Sequence, residues 1–481
     1  MPETRMNFDR YHATMGNFSL KEESRIGKGD LLADKLSVFY VTQRKMPFAP
    51  CVGHERLLAK LLKLKALDAK RLRFLRQEKA DLSLIAGRLE SSTFPFTVRT
   101  VAPGTIMFAN EPFADIEGPF ALTQMTEIDF EHAFDEPMTV AGNALNIRLA
   151  AGNRHLSDFS LRRNGSSGRS LEVTKYAYVG GFDDTSNMEA AFELEINAVG
   201  TMAHYYVEAF IDAMYQLFPE RDSQGRKKHF QQIAFERWLD AHPKGTTLLL
   251  DTISLRLGVI HAIRATNSSE ARRNALKFVR VDSGNLAKNS RWIVDMFKAN
   301  GLGHVGVMPT GDLDAQKIME IVGYCPEVTS FGVGTKLAAE TKVAGVIFKL
   351  CAINHRAVLK CSESKGKETI PGTVQVWRCV DKEGYYVKDI VATSEEAAPH
   401  GFHEAIPLLR VFYEKERRFS LPVSIEAQKE FVAKQRGLFK DIRNYPVEMS
   451  PSLLSSKENI IRKMHNDDMG ESDVTIVPYP E

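Results

Sequence analysis

The residues of this 481-residue chain best suited to chemistry stand at the ends of short apolar runs in its middle third. Leu248-Leu249-Leu250 leads into Asp251-Thr252, Phe278-Val279-Arg280-Val281 into Asp282-Ser283-Gly284, Val305-Gly306-Val307-Met308 into Gly311-Asp312, and Val328 to Phe331 into Gly332-Val333-Gly334-Thr335. On a strand, Arg280 and Asp282 share a side, so a cation and a carboxylate meet at its mouth. Arg162-Arg163, which follow Asp158-Phe159 and precede a turn rich in glycine and serine, add two further guanidinium groups. Three such groups suit a carboxylate or phosphate ligand, and Asp251, Asp282 and Asp312 suit ribose hydroxyls or a magnesium ion. Gly332-Val333-Gly334-Thr335 offers unhindered N–H groups and a hydroxyl that cradle a phosphate if a helix starts just beyond. Each feature also has a bland explanation, since turn glycines serve geometry and an Arg–Asp pair serves a surface. Recurrence at four successive strand ends is what favours an anionic, phosphate-bearing substrate.

Gly200-Thr201-Met202-Ala203-His204 opens an apolar run from Tyr205 to Leu217, with Thr201 the expected N-cap and His204 in the first helical turn. There the helix dipole and neighbouring cations would keep the imidazole neutral and nucleophilic, and the dipole would favour a phosphate placed on its nitrogen. A lone histidine is more often structural. The other histidines, His54, His229 and His403 among them, have no spacing that supports a metal site.

Positioning these groups requires strands that end together. Helical patterns such as Arg291 to Ala299 and Asp314 to Val322 lie between the apolar runs, at the spacing of successive βα units. The reading is a barrel-like or doubly wound α/β domain over about residues 150 to 345, with its site at the carboxyl ends of parallel strands. Before it, Met1 to Asp34 reads as a fraying arm. Leucines and basic residues from Glu55 to Arg76 predict one basic amphipathic helix, most simply a solvated face over a leucine core. Strands are expected at Phe96 to Val101 and Thr105 to Phe108, and a helix from Phe120 to Ala151, stopped by Gly152-Asn153. After it, β patterns return at Thr373 to Cys379 and Tyr385 to Val391. Helices are expected at Leu408 to Arg418 and Ser424 to Phe439, and a loose tail over 450–481.

Sixty-three basic and 61 acidic residues leave a formal charge of +2, with 43% hydrophobic residues, which argues against disorder and against a dominant nucleic-acid surface. No apolar run is long enough to cross a membrane and no signal pattern opens the chain, so a cytoplasmic protein is expected. Five cysteines, an odd number without CxxC spacing, argue against a disulfide framework or a structural zinc site.

Taken together, five motifs resemble nicotinate phosphoribosyltransferase in identity and order. They are Asp158-Phe159-Ser160-Leu161-Arg162-Arg163, Tyr178-Val179-Gly180-Gly181-Phe182-Asp183-Asp184-Thr185-Ser186-Asn187, Gly200 to His204, Arg280 to Gly284, and Phe331 to Thr335. Flanking similarity lies at Val101 to Thr105, at Asn110-Glu111-Pro112 and at Lys365-Gly366-Lys367 to Pro371-Gly372. The resemblance implies a type II phosphoribosyltransferase: an irregular TIM-like α/β barrel with an N-terminal α+β sheet domain and C-terminal helical additions. The implied bounds are 1–147 for the N-terminal domain, rejoined by about 348–400, then 148–347 for the barrel and 401–481 for the C-terminal segment. A homodimer with active sites at its interface is also implied.

The implied reaction joins nicotinate to 5-phosphoribosyl 1-diphosphate, giving nicotinate mononucleotide and diphosphate in NAD salvage, with magnesium and with ATP hydrolysed through a phosphohistidine at His204. By position, Phe159 would stack on the pyridine ring, and Arg162, Thr201 and Arg280 would surround nicotinate and the ribose phosphate. Asp282 would hold ribose or metal, while Ser283, Gly284, Gly311, Asp312, Gly334 and Thr335 would bind phosphate. Ser186 separates this branch from its nicotinamide-using relative, which has an aspartate there; a hydroxyl can donate to a carboxylate that an aspartate would repel. A barrel that binds pyridine nucleotides without turnover is the other alternative. Two departures stand out. Leu36 occupies the place of a family tyrosine, with Tyr40 as a substitute through a shifted alignment, and Asp184 stands where glycine is common.

Overall fold

In the computed structural model, the described residues are 6–26, 28–61, 67–78, 81–91, 95–339, 342–362, 368–414, 417–418 and 424–466. The chain divides into two compact units, one of Met1–Thr139 with Val343–Glu481 and one of Val140–Lys342. The fold is mixed α/β, with several sheets and many helices.

The first unit is built on a seven-stranded antiparallel sheet whose spatial order interleaves both chain segments. Its strands run Arg356–Ala357, Val346–Ile353, Leu36–Gln43, Ala114–Pro119, Thr97–Thr100, Arg410–Glu414 and Arg417–Arg418. Leu36–Gln43 is buried along nearly its whole length, and Phe39 stacks on Phe348 with ring centroids 4.7 Å apart. Tyr40, the candidate stand-in for the family tyrosine, belongs to this core. It is 3% exposed, and its hydroxyl accepts from the Ile370 N–H.

Several expectations for this unit are corrected. Within the helix expected over Leu408 to Arg418, Arg410–Glu414 and Arg417–Arg418 are strands, because Val411-Phe412-Tyr413 favours extended backbone and Thr97–Thr100 offers an edge to pair with; residues 415–416 lie outside the described residues. Glu55 to Arg76 is two helices, His54–Leu61 and Ala69–Arg76. Asp68 caps the second by accepting from Arg71 N–H, and residues 62–66 lie outside the described residues. The arm contains a helix, Arg10–Ser19, that buries His12 and Ala13. The tail contains another, Pro451–Asn466, with Pro451 opening it, Ser450 Oγ accepting from Leu453 N–H, and Leu453 fully buried. Lys365-Gly366-Lys367 and 467–481 lie outside the described residues. The helix expected from Phe120 to Ala151 forms as Phe120–Thr123, a 3-10 turn and Glu127–Ala151, and Gly152 ends it at φ +63°.

The second unit contains two three-stranded parallel sheets. In one, Leu276–Val281 lies between Gly306–Pro309 and Thr246–Leu249; in the other, His155–Asp158 lies between Ser330–Val333 and Asp184–Thr185. Among the described residues the ladders form two separate sheets and no closed barrel. Short loops lead from the strands to capped helix starts. Ser166, Asn187, Ser254, Asn285 and Asp314 each accept from a backbone N–H of the helix that follows. Among the described residues no helix is long and apolar enough to cross a membrane, and all five cysteines are free.

Candidate active site

Within the parallel unit, the strand His155–Asp158 delivers Phe159 and Arg162. Asp158 is buried and organises the turn: its Oδ1 accepts from Ser160 N–H at 2.8 Å and its Oδ2 from the hydroxyls of Thr174 and Thr185 at 2.7 and 3.0 Å. Its carbonyl accepts from Ser186 N–H at 2.9 Å and Ser186 Oγ at 3.3 Å, which fixes Ser186 to the same strand end. Phe159 N–H donates to Val333 O at 2.8 Å, and the phenyl ring crosses Gly332 so closely that a Cβ there would lie 2.4 Å from it. Glycine at 332 is therefore a packing requirement for the ring.

The strand Leu276–Val281 delivers Arg280 and Asp282, whose guanidinium and carboxylate meet at 2.8 Å as their shared side predicts. Arg280 also donates from Nε to Thr310 Oγ1 at 2.9 Å, and its Cζ lies 5.9 Å from the centre of the Phe159 ring. Asp282 Oδ1 lies 3.5 Å from His204 Nε2, and Thr252 Oγ1 lies 3.1 Å from His204 Nδ1. The charged group facing His204 is thus a carboxylate, not the cation expected from sequence. His204 opens a short helix, His204–Glu208, continued by a 3-10 segment, Ala209–Tyr215, so the apolar run is not one α-helix. Ala203 occupies the cap position. Thr201 instead donates to Thr247 O at 2.7 Å, tying this loop to the strand Thr246–Leu249.

His204, Asp251 and Asp282 present ligand atoms within 4.8 Å of one another. Asp251 Oδ2 accepts from Asp282 N–H and from Ser283 Oγ, while its buried Oδ1 has no hydrogen-bond partner among the described residues. The two carboxylates, one with a buried oxygen lacking a hydrogen-bond partner among the described residues, suit a hard divalent cation, and the imidazole stands beside them.

Two adjoining cavities share Phe159, Arg162, Arg280 and Asp282. The larger, about 710 Å³, is also lined by Ser186, Thr201 and His204. The smaller, about 220 Å³, is lined by Arg163, Thr310, Gly311, Asp312, Gly332, Gly334 and Thr335. Neither Arg162 nor Arg163 pairs with a carboxylate among the described residues, which leaves cationic heads for an anion. Gly311 (φ +97°) is forced: a Cβ would stand 2.3 Å from Asp282 O. Asp312 also has positive φ, +47°, and its carbonyl accepts from Lys317 Nζ. Gly334 begins the helix Thr335–Ala338.

The structure therefore gathers Phe159, Arg162, Ser186, Thr201, His204, Arg280, Asp282, Gly311, Asp312, Gly334 and Thr335 around two chambers. Ser283 and Gly284 lie outside both linings, and the Ser283 hydroxyl is engaged by Asp251. Sequence reasoning did not assign Asp158, Thr252 and Thr310 their positioning contacts. The signal was present in the Asp158-Phe159 and Asp251-Thr252 strand ends, but which hydroxyl meets which ring nitrogen or guanidinium is a tertiary fact.

A parallel α/β unit that collects guanidinium groups and glycine turns in one chamber, and an aromatic ring, a histidine and carboxylates in the next, has the chemistry of an enzyme site suited to phosphorylated, anionic substrates. Comparison with known proteins sharpens the class. Residues 154–384 match the model of the nicotinate phosphoribosyltransferase (NAPRTase) family. Nicotinate phosphoribosyltransferase 2 of Arabidopsis thaliana is 27% identical over 410 residues, covering 77% of this chain and 72% of that protein. The Bacillus subtilis (strain 168) nicotinate phosphoribosyltransferase is 27% identical over 379 residues, covering 76% and 73%. The crystal structure of human nicotinic acid phosphoribosyltransferase superposes with a TM-score of 0.74 at 20% identity, covering 94% of this chain and 99% of that one, a likeness of fold. Over residues 154–384, and at 27% identity to these relatives, the chain is similar to the nicotinate phosphoribosyltransferase family.

Proposed function

We propose that the protein joins nicotinate to 5-phosphoribosyl 1-diphosphate, releasing diphosphate, in NAD salvage, and that ATP hydrolysis is coupled to the transfer through His204. The observation that carries this reading is the pair of cavities sharing Phe159, Arg162, Arg280 and Asp282. The larger offers an aromatic face for a pyridine and the smaller offers cations and open backbone for a phosphate. On this reading the catalytic unit corresponds to about residues 148–347, its six parallel strands forming the wall of an irregular barrel.

Phe159 and Arg280 would hold the ring and its carboxylate, and Ser186 would turn its hydroxyl from Asp158 O to the carboxylate. Arg162, Arg163 and the Gly311 and Gly334 turns would hold the ribose phosphate. Asp282 would orient the ribose hydroxyls as positive charge grows on the sugar, and Thr252 and Asp282 would hold the His204 ring to accept a phosphoryl group. Asp251 and Asp282, with His204 beside them, fit magnesium, which when bound neutralises charge on the diphosphate leaving group. A cytoplasmic homodimer belongs to the same proposal. Exposed Phe192, Tyr205, Tyr215, Leu217 and Phe218 support it, because a cluster of large apolar side chains in one stretch of chain suits an interface with a second copy.

The test is an assay of the purified protein with 5-phosphoribosyl 1-diphosphate, magnesium and either nicotinate or nicotinamide, with and without ATP. Turnover with nicotinate that ATP increases is the expected result. Turnover with nicotinamide alone overturns the substrate, and binding without turnover overturns catalysis. His204→Ala should uncouple ATP hydrolysis while leaving basal transfer; hydrolysis still in step with product would remove the phosphohistidine.

A further inference from the structure

Ser186 follows a strand of two residues, Asp184–Thr185, whose main-chain bonds run from Asp183 N–H to Leu156 O and Ser186 N–H to Asp158 O on one side and from Thr185 N–H to Asn197 O on the other, so the side chains on its faces add to a short ladder. The ladder sets Asp184 opposite Ser157 and Thr185 opposite Asp158. Asp184 and Ser186 share one face of their strand, as His155, Ser157 and Phe159 share the matching face of the next. On that face Asp184, two positions before Ser186 and opposite Ser157, meets His155, four positions before Phe159, across the diagonal of the ladder, its Oδ2 2.5 Å from Nε2. The Asp184 side chain is 4% exposed, whereas that of His155 is 46% exposed and open to solvent protons. Asp184 Oδ1 has no hydrogen-bond partner among the described residues, so the imidazole is the carboxylate's compensating group there.

We propose that the Asp184–His155 pair is a positioning device for nicotinate binding, latching the two-residue strand so that Ser186 stays in register with Phe159. The inference rests on the nicotinate reading of the site and adds to it a specific, titratable support.

The charged groups facing the imidazole are Asp184, Asp183 at 3.8 Å and Arg148, which pairs with Asp183 at 2.6 Å. The hydrogen bond that His155 donates to the Asp184 carboxylate raises the pKa of His155, against the opposing effect of burial. A raised histidine supplies its stabilisation in full below the unfolded value and loses it as pH climbs through the folded value. The latch is therefore closed on the acid side and released on the alkaline side.

The experiment measures nicotinate KM and kcat at saturating 5-phosphoribosyl 1-diphosphate and ATP across pH 6 to 9 (roughly the imidazole range and beyond). It compares wild type with Asp184→Asn, His155→Gln and His155→Lys, and follows amide hydrogen exchange of residues 183–188 in ligand-free protein. Wild-type KM should rise with pH. Asp184→Asn and His155→Gln should raise KM about tenfold and make it flat with pH, with kcat changed less than about twofold, as loss of one charge-assisted bond acting on binding predicts. His155→Lys, whose cation persists to higher pH, should restore a low KM and move the rise upward. Exchange at Thr185 and Ser186 should quicken in the two damaging variants and, in wild type, beyond the ordinary pH acceleration seen in His155→Lys. Unchanged KM, or losses of kcat, KM and thermal stability together without pH dependence, would overturn the latch. Should wild type turn over no pyridine, the proposed function fails on that arm. The exchange arm then decides the latch alone: quickened exchange supports it and unchanged exchange overturns it.

Discussion

Two arginine–carboxylate pairs, one in each unit, use the same chemistry to opposite ends. Arg378 and Asp389 of the first unit are 2% and 0% exposed and make two bonds, 3.0 and 2.6 Å long. The other Arg378 donors reach Ile106 O and Gln435 Oε1, Tyr386 and Phe439 cover the guanidinium at 5.1 and 5.3 Å, and Tyr445 donates to Asp389 at 2.8 Å. Arg280 and Asp282 of the second unit share one bond, are 16% and 21% exposed, and both line two cavities. A buried pair whose nitrogen and oxygen atoms all have partners within the fold holds structure. A pair with spare valence facing a cavity can bind and be rearranged by a substrate.

The sharpest way to break the comparison is Arg378→Met. It leaves a buried carboxylate uncompensated and should cost about 3–5 kcal/mol of stability, read by denaturant melting, with nicotinate KM of the folded fraction unchanged. Asp282→Asn should do the reverse, lowering kcat by about 10²–10³ while the melt hardly moves. If Asp282→Asn unfolds the protein, the distinction between the pairs fails.

Gly311→Ala tests the scaffold beneath Asp282. A Cβ at 2.3 Å from Asp282 O and a φ of +97° should cost about 1–3 kcal/mol and reduce activity with it. Glu111 sharpens the first unit's side of the comparison. Burial, then the neighbouring Asp389, push its pKa well above its ordinary 4.5, so the folded state holds a proton that the unfolded state has lost. That contribution is full below pH 4.5 and declines as pH rises toward the folded value. Glu111→Gln, which keeps the neutral form, should therefore gain on wild type with rising pH, by at most about 1.4 kcal/mol per pH unit in paired melts. The smallest effect belongs to Gly323→Ala, inside the helix Ala315–Tyr324 with nothing within 4 Å of the new Cβ. It should stabilise by roughly 0.5–1 kcal/mol and leave kinetics alone.

Much of the parallel unit was legible because its signals are local. An apolar run ending in Asp251-Thr252 or Asp282, followed by a capping Ser254 or Asn285, states strand, turn and helix within a few residues. The side shared by Arg280 and Asp282 follows from the period of a strand. Regions decided by partners far along the chain were not legible. Val411-Phe412-Tyr413 becomes a strand because Thr97–Thr100 is there to pair, and 451–466 becomes a helix whose Leu453 finds a core. Tyr40 looked available in sequence, yet its hydroxyl serves Ile370 N–H inside the sheet.

The sequence by itself determined which groups could act: three arginines, the strand-end carboxylates, His204, and glycines whose backbone admits close neighbours. It also determined the ordered motifs that resemble nicotinate phosphoribosyltransferases, since both depend only on residue identity and short spacing. The tertiary structure alone decided that His204 faces Asp282 and Thr252, that Thr201 ties a loop to a strand instead of capping a helix, and that Ser283 turns to Asp251. Those pairings join residues some 30 to 80 positions apart, and only the packing of parallel strands brings such distant side chains within hydrogen-bond reach.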